Sequence, residues 1–275
     1  MPANSVQSQQ ADPLWTAIRA EAWSEEERDP FLRQFLTQTI LKNRRLEDAL
    51  AQLLCSKLAT ECVNPALLRS LFDQAYGSCP TVGESIRNDL RAIRDRDPAS
   101  RGFLIPFLFF KGFQALQSYR VAHWLWAHDR QLLAFHFQNR ISEVFGVDIH
   151  PAAKIGSGVM MDHGTSIVIG ETSVIEDDVS ILHEVTLGGT GKDSGDRHPK
   201  VRRGVLIGAG SKVLGNIEIG EGAKIGAGSV VLDPVPPHCT VAGVPSRIVG
   251  RLAEKMPALE MDQQFPHRHE EGSGI

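Results

Sequence analysis

The sequence has 275 residues, a formal net charge of -4, 42% hydrophobic residues and 23% charged residues. These proportions are typical of a globular protein with one or two domains, and they indicate neither a nucleic-acid nor a membrane partner. The longest apolar run, Phe103 to Phe110, is far shorter than the ~20 residues that span a bilayer. The N-terminus lacks a secretory pattern, and the cysteines have no metal-ligand spacing. We therefore expect a cytoplasmic protein without a bound metal.

Helical periodicity dominates the chain up to residue 146. Apolar residues recur at intervals of three and four, for example at Leu46, Leu50 and Leu54. The pair Asn64-Pro65 is typical of a helix start, with proline in the first turn. Residues 1–146 are therefore predicted to form an all-α domain of several packed helices.

From residue 147 the pattern changes to a period of six. Aliphatic residues stand six apart in runs separated by a two-residue slip and by a polar loop: Ile149, Ile155, Met161; Ile169, Ile175, Ile181, Leu187; Ile207, Val213, Ile219, Ile225, Val231. This period fits neither a helix nor a simple strand alternation, and an antiparallel sheet would require varied spacing. A triangular coil with three hexapeptides per turn satisfies it.

The fold class predicted from these two patterns is α+β: an N-terminal all-α helical domain followed by a left-handed parallel β-helix of hexapeptide repeats over residues 147–250. The polar stretch from Gly189 to Arg203 is predicted to leave the coil as an exposed loop, a common place for functional residues. The open faces of such a coil favour a trimer. Residues 251–275 are polar and are predicted to form a flexible tail.

Three stretches of the coil half carry polar residues that interrupt the repeat. They are Asp148 to Gly156, Met161-Asp162-His163, and Thr186 to Lys200 with its DRHPK segment. Together they resemble bacterial serine O-acetyltransferases, which belong to the hexapeptide-repeat acyltransferases. The helical half shares this resemblance at Arg96 to Ala99 and at Lys111 to Gln117, so it covers nearly the whole chain. It implies acetyl transfer from acetyl-CoA to L-serine, giving O-acetyl-L-serine and CoA in the first step of cysteine biosynthesis from serine.

His163 is the candidate general base for this reaction. A serine hydroxyl is a weak nucleophile at pH 7 until its proton is removed as it attacks. A carboxylate on the second ring nitrogen would fix the imidazole tautomer and stabilise the imidazolium, and Asp148 is the candidate for this role. The resemblance implies the same pair of residues. Direct transfer without a covalent acyl-enzyme is expected.

A serine pocket also needs charges that complement the amino acid. Arg197 and His198 are the candidates for the carboxylate, because a guanidinium can hold a carboxylate through two hydrogen bonds. Asp97 and Asp162 are the candidates for the ammonium and hydroxyl ends of serine. Since Asp97 lies in the helical half, its use would place that domain at the active site.

The candidate acetyl-CoA residues lie in and after the polar loop. Gly189, Ala209 and Gly210 leave the backbone accessible to the pantetheine arm, and an N–H group of this region could stabilise the tetrahedral oxyanion. Lys224 could contact a CoA phosphate. Glycine is also required at the corners of such a coil, so these assignments have a structural alternative.

The resemblance further implies regulation and assembly. L-cysteine is expected to inhibit by occupying the serine site. The C-terminal Ile275 is expected to dock into the active site of O-acetylserine sulfhydrylase (cysteine synthase), and a tail with one apolar anchor and a free carboxylate suits such a pocket. A dimer of trimers is implied by the resemblance alone.

Three other functions are compatible with a hexapeptide coil. One keeps acetyl-CoA but uses a sugar, homoserine or another amino-acid hydroxyl as the acceptor. A second is a zinc hydratase, for which His163, His183 and His198 from adjacent subunits could be ligands around an open position. A third is a non-catalytic scaffold for cysteine synthase.

Overall fold

Eight helices make up the first half of the part of the chain that the structure describes. The computed structural model describes residues 12–191, 194–252 and 256–264. Helices α1 to α8 span Pro13–Arg28, Arg33–Leu36, Leu46–Leu58, Pro65–Ser78, Pro80–Arg96, Leu104–Phe109, Lys111–Ala127 and Gln131–Phe145. A 3₁₀ turn, Pro30–Leu32, precedes α2, and a π turn, Thr37–Leu41, follows it. No helix in the described ranges is both long enough and apolar enough to cross a membrane.

The helix start predicted at Asn64-Pro65 is confirmed. Pro65 is the first residue of α4, and the Asn64 side chain accepts a hydrogen bond from the Leu67 N–H at 3.0 Å. Proline is tolerated there because the first N–H groups of a helix have no acceptor within the helix, and the asparagine cap satisfies one of them.

Fifteen strands form the coil in the described residues. Strands β1 to β15 span Val147–Ile149, Lys154–Ile155, Met160–Met161, Ile167–Ile169, Val174–Ile175, Ser180–Ile181, Thr186–Gly188, Lys200–Val201, Leu206–Ile207, Lys212–Leu214, Glu218–Ile219, Lys224–Ile225, Val230–Val231, Cys239–Gly243 and Ser246–Arg251. They build three sheets: sheet A (β1-β4-β7-β10-β13), sheet B (β2-β5-β8-β11) and sheet C (β3-β6-β9-β12-β14-β15). All strand pairs are parallel except β14 with β15.

The aliphatic residues of the six-residue repeat line the axis of this coil. Ile149 pairs with Ile169, and Ile169 pairs with Leu187, and each of the three is at most 1% exposed. The first turn of the coil, from Ile149 to Ile169, is two residues longer than the next turn, from Ile169 to Leu187. The slip in the repeat therefore marks an enlarged corner between β3 and β4.

The predicted loop from Gly189 to Arg203 is too long. Lys200 and Val201 form β8, which is hydrogen bonded between β5 and β11. Val201 is fully buried and stands six residues before Ile207, so it occupies an axial position of the repeat. The charged residues on both sides of Val201 concealed this strand, and the excursion from the coil ends before Lys200.

A buried ion pair ties the helical half to the coil. Asp89 of α5 accepts from Arg120 of α7 at 2.6 Å, and the Asp89 carboxylate is fully buried. The same carboxylate accepts the Val159 N–H at 2.9 Å, while Arg120 also donates to the Gly156 carbonyl at 2.8 Å. Burial raises the pKa of Asp89, whereas Arg120 lowers it. Because buried charges require partners, these contacts hold the two halves in one arrangement.

Part of the expected flexible tail is packed against the coil. The short helix α9, Pro257–Glu260, follows β15, and Ala258 is fully buried against Leu182 and Leu206. The Ser180 hydroxyl donates to the Ala258 carbonyl at 2.9 Å. A few apolar residues thus hold residues 256–264 of this otherwise polar segment against the coil, and the flexible tail over residues 251–275 stays a prediction. Ile275 lies outside the described residues.

Candidate active site

The enlarged corner between β3 and β4 presents His163 at the surface. The His163 side chain is 73% exposed, and its backbone has a φ of 56°, in the left-handed region. Gly164 follows with a φ of 71°. Few residues other than glycine adopt this conformation, although histidine is among the more tolerant. The corner therefore holds the imidazole away from the coil, where a substrate can reach it.

The first turn of α7 closes one side of this corner. A side chain at Gly112 would collide with the Met161 carbonyl, and a side chain at Gly164 would lie 2.9 Å from the Gly112 Cα. Both glycines are thus required for the helix to approach the coil so closely. This contact brings the helical half to His163.

A pocket of about 710 Å³ lies at this junction. Its walls come from both halves of the chain and from the C-terminal segment: Arg96 to Ala99, Phe109 to Gly112, Met160, Asp162, His163, Met261 and Gln263. Three of the predicted site residues, Asp97, Asp162 and His163, therefore share one pocket.

The two acidic residues of the pocket are held differently. Asp97 follows the last residue of α5, and its Oδ1 accepts the Ala99 N–H at 2.8 Å. Asp162 directly precedes His163, and its Oδ1 lies 3.9 Å from His163 Nε2. The pocket thus has two carboxylates for a cationic group, one from each half of the chain.

Asp148 lies on β1, behind the same corner. A side chain at Gly164 would be 3.2 Å from Val147, the neighbour of Asp148. In the described residues Asp148 accepts a hydrogen bond from Gln138 Nε2 at 2.7 Å, and no hydrogen bond or ion pair joins it to His163. The backbones around Asp148 and His163 therefore lie close together, but the two side chains are not hydrogen bonded to each other in this arrangement.

Arg197 and His198 lie at the other end of β4 from His163. Arg197 donates to the Glu171 carboxylate at 2.6 Å. The Thr172 N–H donates to His198 Nδ1 at 3.2 Å, which leaves the proton of the neutral ring on Nε2. Burial, followed by the charge of Arg197, lowers the pKa of His198, so the ring is a neutral donor at pH 7.

Within one chain these two residues do not reach the pocket of His163. The three residues of β4 span about 10 Å, and Arg197 and His198 are not among the residues that line the pocket. The sequence prediction grouped them with Asp97, Asp162 and His163. A single chain does not bring them together.

The candidate acetyl-CoA residues lie along the coil beyond this corner. Gly189 is half-buried beside Arg197, and a side chain there would meet the Arg197 carbonyl at 3.4 Å. Ala209 accepts the Gly228 N–H at 2.7 Å, and Gly210 has a φ of 73°. The backbone of this region is thus used for the corners of the coil, as the structural alternative anticipated.

The Lys224 side chain is not exposed to a CoA phosphate in this structure. Its side chain is 3% exposed, and Nζ donates to the Gln264 carbonyl at 2.6 Å. A direct contact with a phosphate is not possible in this arrangement. It would require residues 262–264 to move away from the coil.

Comparison with known proteins identifies the family to which this chain belongs. Residues 14–118 match the model of the serine acetyltransferase N-terminal domain, and residues 198–233 match the bacterial transferase hexapeptide model. The serine acetyltransferase of Salmonella typhimurium is 54% identical over 265 residues, covering 95% of this chain and 97% of that protein. The chain belongs to the serine acetyltransferase family.

Two solved structures of serine acetyltransferases match nearly the whole fold. The Brucella abortus enzyme in complex with coenzyme A has a TM-score of 0.87 at 52% identity, covering 88% of this chain and 97% of that one. A serine acetyltransferase in complex with cysteine has a TM-score of 0.90 at 55% identity, covering 92% and 98%. The predicted fold class is confirmed, and so is the predicted acyl transfer from acetyl-CoA to L-serine.

Family membership decides against the zinc hydratase. No group of three or more His, Cys, Asp or Glu side chains that could hold a metal occurs within residues 12–191, 194–252 and 256–264. Within one chain, His163 and His183 are neighbours and His198 lies at the far end of β4.

His183 is a neighbour of the candidate base that the sequence grouped with it only in the zinc alternative. The His163 and His183 rings meet edge to face with centroids 5.7 Å apart, and His183 Nδ1 is buried without a partner among the described residues. The six-residue repeat contained a signal for this contact. Met161 pairs with Ile181, so residues two positions further along, His163 and His183, stand above one another on the coil.

Glu171 is a second residue whose use the sequence did not specify. It follows the repeat residues Ile169 and Gly170 directly, and nothing in the six-residue pattern assigned it a partner. The structure pairs it with Arg197 at 2.6 Å, and the Arg197 guanidinium lowers the pKa of the Glu171 carboxyl. Glu171 thus fixes the direction of the guanidinium.

Proposed function

We propose that this acetyltransferase uses His163 as the general base and Asp148 as the carboxylate that orients it. The observation that supports this most is the pocket between the two halves, where an exposed imidazole stands beside Asp162 and faces Asp97. The ammonium of L-serine would lie between the two carboxylates, with its hydroxyl towards His163. In the active enzyme, Asp148 would accept a hydrogen bond from the second nitrogen of the imidazole.

The reaction then follows from one proton transfer. His163 accepts the hydroxyl proton as the serine oxygen attacks the thioester carbonyl of acetyl-CoA. The tetrahedral intermediate collapses by breaking the carbon–sulfur bond, and the CoA thiolate leaves and takes the proton from the imidazolium. A backbone N–H group of the stretch around Gly189 would stabilise the developing oxyanion.

The serine carboxylate would be bound by Arg197 and His198 of a neighbouring protomer. These donors are pre-oriented by Glu171 and Thr172 but lie at another corner of the coil from His163. In a trimer around a three-fold axis, the corner of one coil can face a different corner of the next. The exposed Val168 on β4, between the two groups, is available for such a contact.

A mixed-subunit experiment tests the shared site. A His163→Asn chain and an Arg197→Ala chain should each be nearly inactive alone. After co-expression in equal amounts, random assembly would leave about a quarter of the interfaces with both residues intact. We therefore expect activity to return to roughly that fraction of the wild-type rate.

As the control, each variant chain is co-expressed with a second copy of the same variant under the same conditions. Mixed oligomers that remain as inactive as the single variants would contradict a site shared between protomers.

Acetyl-CoA would bind along the groove next to Gly189, Ala209 and Gly210. This proposal is supported by the relative from Brucella abortus, whose structure is a complex with coenzyme A. L-cysteine would compete with L-serine, because the two differ only by a thiol in place of the hydroxyl. A related enzyme has been solved in complex with cysteine.

The C-terminal residues would bind O-acetylserine sulfhydrylase through Ile275. Deleting Ile275 should abolish binding to the sulfhydrylase while leaving serine acetylation by the free enzyme unchanged. Binding is measured with the full-length protein by calorimetry, and an Ile275→Leu variant is the matched control. Unchanged affinity after the deletion would contradict the proposal. A cytoplasmic location stays a prediction from the sequence.

A further inference from the structure

Gln138 contacts the carboxylate that is assigned to orient the base. It lies on α8, two turns before the helix ends at Phe145, and its Nε2 donates to Asp148 Oδ1 at 2.7 Å. Both side chains are half-buried. The flanking residues Phe137 and Ile141 are each 1% exposed, so the helix face that carries Gln138 is fixed against the core.

The connection between α8 and β1 makes this contact rigid. Gly146 ends the helix with a φ of 67°, and its N–H donates to the Ser142 carbonyl at 2.9 Å. β1 begins at the next residue. A left-handed glycine of this kind is a common helix ending, and here it turns the chain directly into the strand that carries Asp148.

A carboxylate that holds an imidazole must keep one oxygen in a fixed direction. An amide donor on one oxygen leaves the other oxygen free to accept the ring N–H, and it favours the ionised form of the carboxyl. We propose that Gln138 is a positioning residue of the acetyl transfer, which aims Asp148 at His163. This rests on the function proposed above for those two residues.

Glutamine suits this position because it donates without adding charge. A glutamate there would place a second negative charge next to Asp148 and would favour the protonated imidazolium of His163. The charged and titratable side chains on the elements packed around β1 are Lys111, Arg120 and His123 on α7, His136, Arg140 and Glu143 on α8, and His150, Asp162, His163, Glu171 and Arg197 around the coil corners. None of them is changed in the variants below.

The test compares Gln138→Leu and Gln138→Glu in the full-length enzyme, with the pH dependence of kcat/KM for L-serine as the readout. Gln138→Leu should lower kcat about tenfold, with little change in KM. In Gln138→Glu the acidic limb of the profile should move to higher pH, because an added negative charge raises the pKa of an imidazole. Asn139→Ala, at the exposed neighbouring position, is the matched control and should behave as wild type.

A double-mutant cycle with Asp148→Asn separates positioning from a purely structural role. If Gln138 acts through Asp148, Gln138→Leu should have almost no further effect on kcat in the Asp148→Asn background. An equal tenfold loss in both backgrounds would overturn the inference, and so would a wild-type rate and profile in both Gln138 variants. If instead Asp148→Asn itself has no effect, the proposed pair of His163 and Asp148 has failed, and the inference fails with it.

Discussion

Replacing His163 by asparagine is expected to lower kcat for serine acetylation by about a thousandfold. Asparagine tolerates the left-handed backbone that His163 adopts, with its φ of 56°, so the corner should keep its shape. The side chain amide cannot accept a proton at neutral pH, and the serine hydroxyl would then attack without a base. Initial rates of thiol release from acetyl-CoA at saturating serine measure the effect.

The control for this variant is His128→Asn. His128 follows α7, is exposed, and contacts the Trp124 carbonyl and ring instead of the pocket. Its variant should keep the wild-type rate. A His163→Asn enzyme with a rate close to wild type would remove His163 from the reaction.

The second large effect is on stability, at the ion pair between the two halves. Asp89→Ala would leave the Arg120 guanidinium buried without its carboxylate and the Val159 N–H without an acceptor. Breaking such a buried pair costs about 3 to 5 kcal/mol. For a chain of this size we expect Tm to fall by about 10 °C.

Thermal unfolding followed by circular dichroism measures this change. Glu25→Ala is the matched control, because Glu25 pairs with Arg28 at the surface, where the two side chains are 40% and 74% exposed. Such a pair contributes less than about 1 kcal/mol, so Tm should hardly move. A Tm of Asp89→Ala equal to that of the control would show that the pair does not hold the halves together.

The coil could be predicted in detail because its signal is repeated. Each turn needs an aliphatic residue at the axis, and the registers Ile149 with Ile169 and Ile169 with Leu187 follow the spacing of the sequence. The prediction failed at Val201, where one axial residue stands among charged neighbours. The contact of residues 256–264 with the coil has no signal in the repeat, because burial of Ala258 depends on a surface formed by distant strands.

The candidate site was predictable only in part. Interruptions of the repeat pointed to His163, and the slip of two residues there corresponds to the enlarged corner. The sequence could not separate the residues that share the pocket with His163 from Arg197 and His198, because that depends on which corner of the triangle each one occupies. The contacts of Gln138 with Asp148 and of Lys224 with Gln264 are side-chain arrangements between elements, and no spacing encodes them.

Thiol release from acetyl-CoA, measured with the wild-type protein and a panel of acceptors, tests the assigned acetyl transfer to L-serine most directly. The acceptors are L-serine, homoserine and a simple sugar. The carboxylates of Asp97 and Asp162 in the pocket, with the oriented Arg197 and His198, predict rapid release with L-serine and little release with the sugar. Because homoserine extends the chain by one methylene, its hydroxyl should be misplaced at His163, and its rate should be lower. Release that is fastest with another acceptor, or that does not depend on any acceptor, would contradict the account.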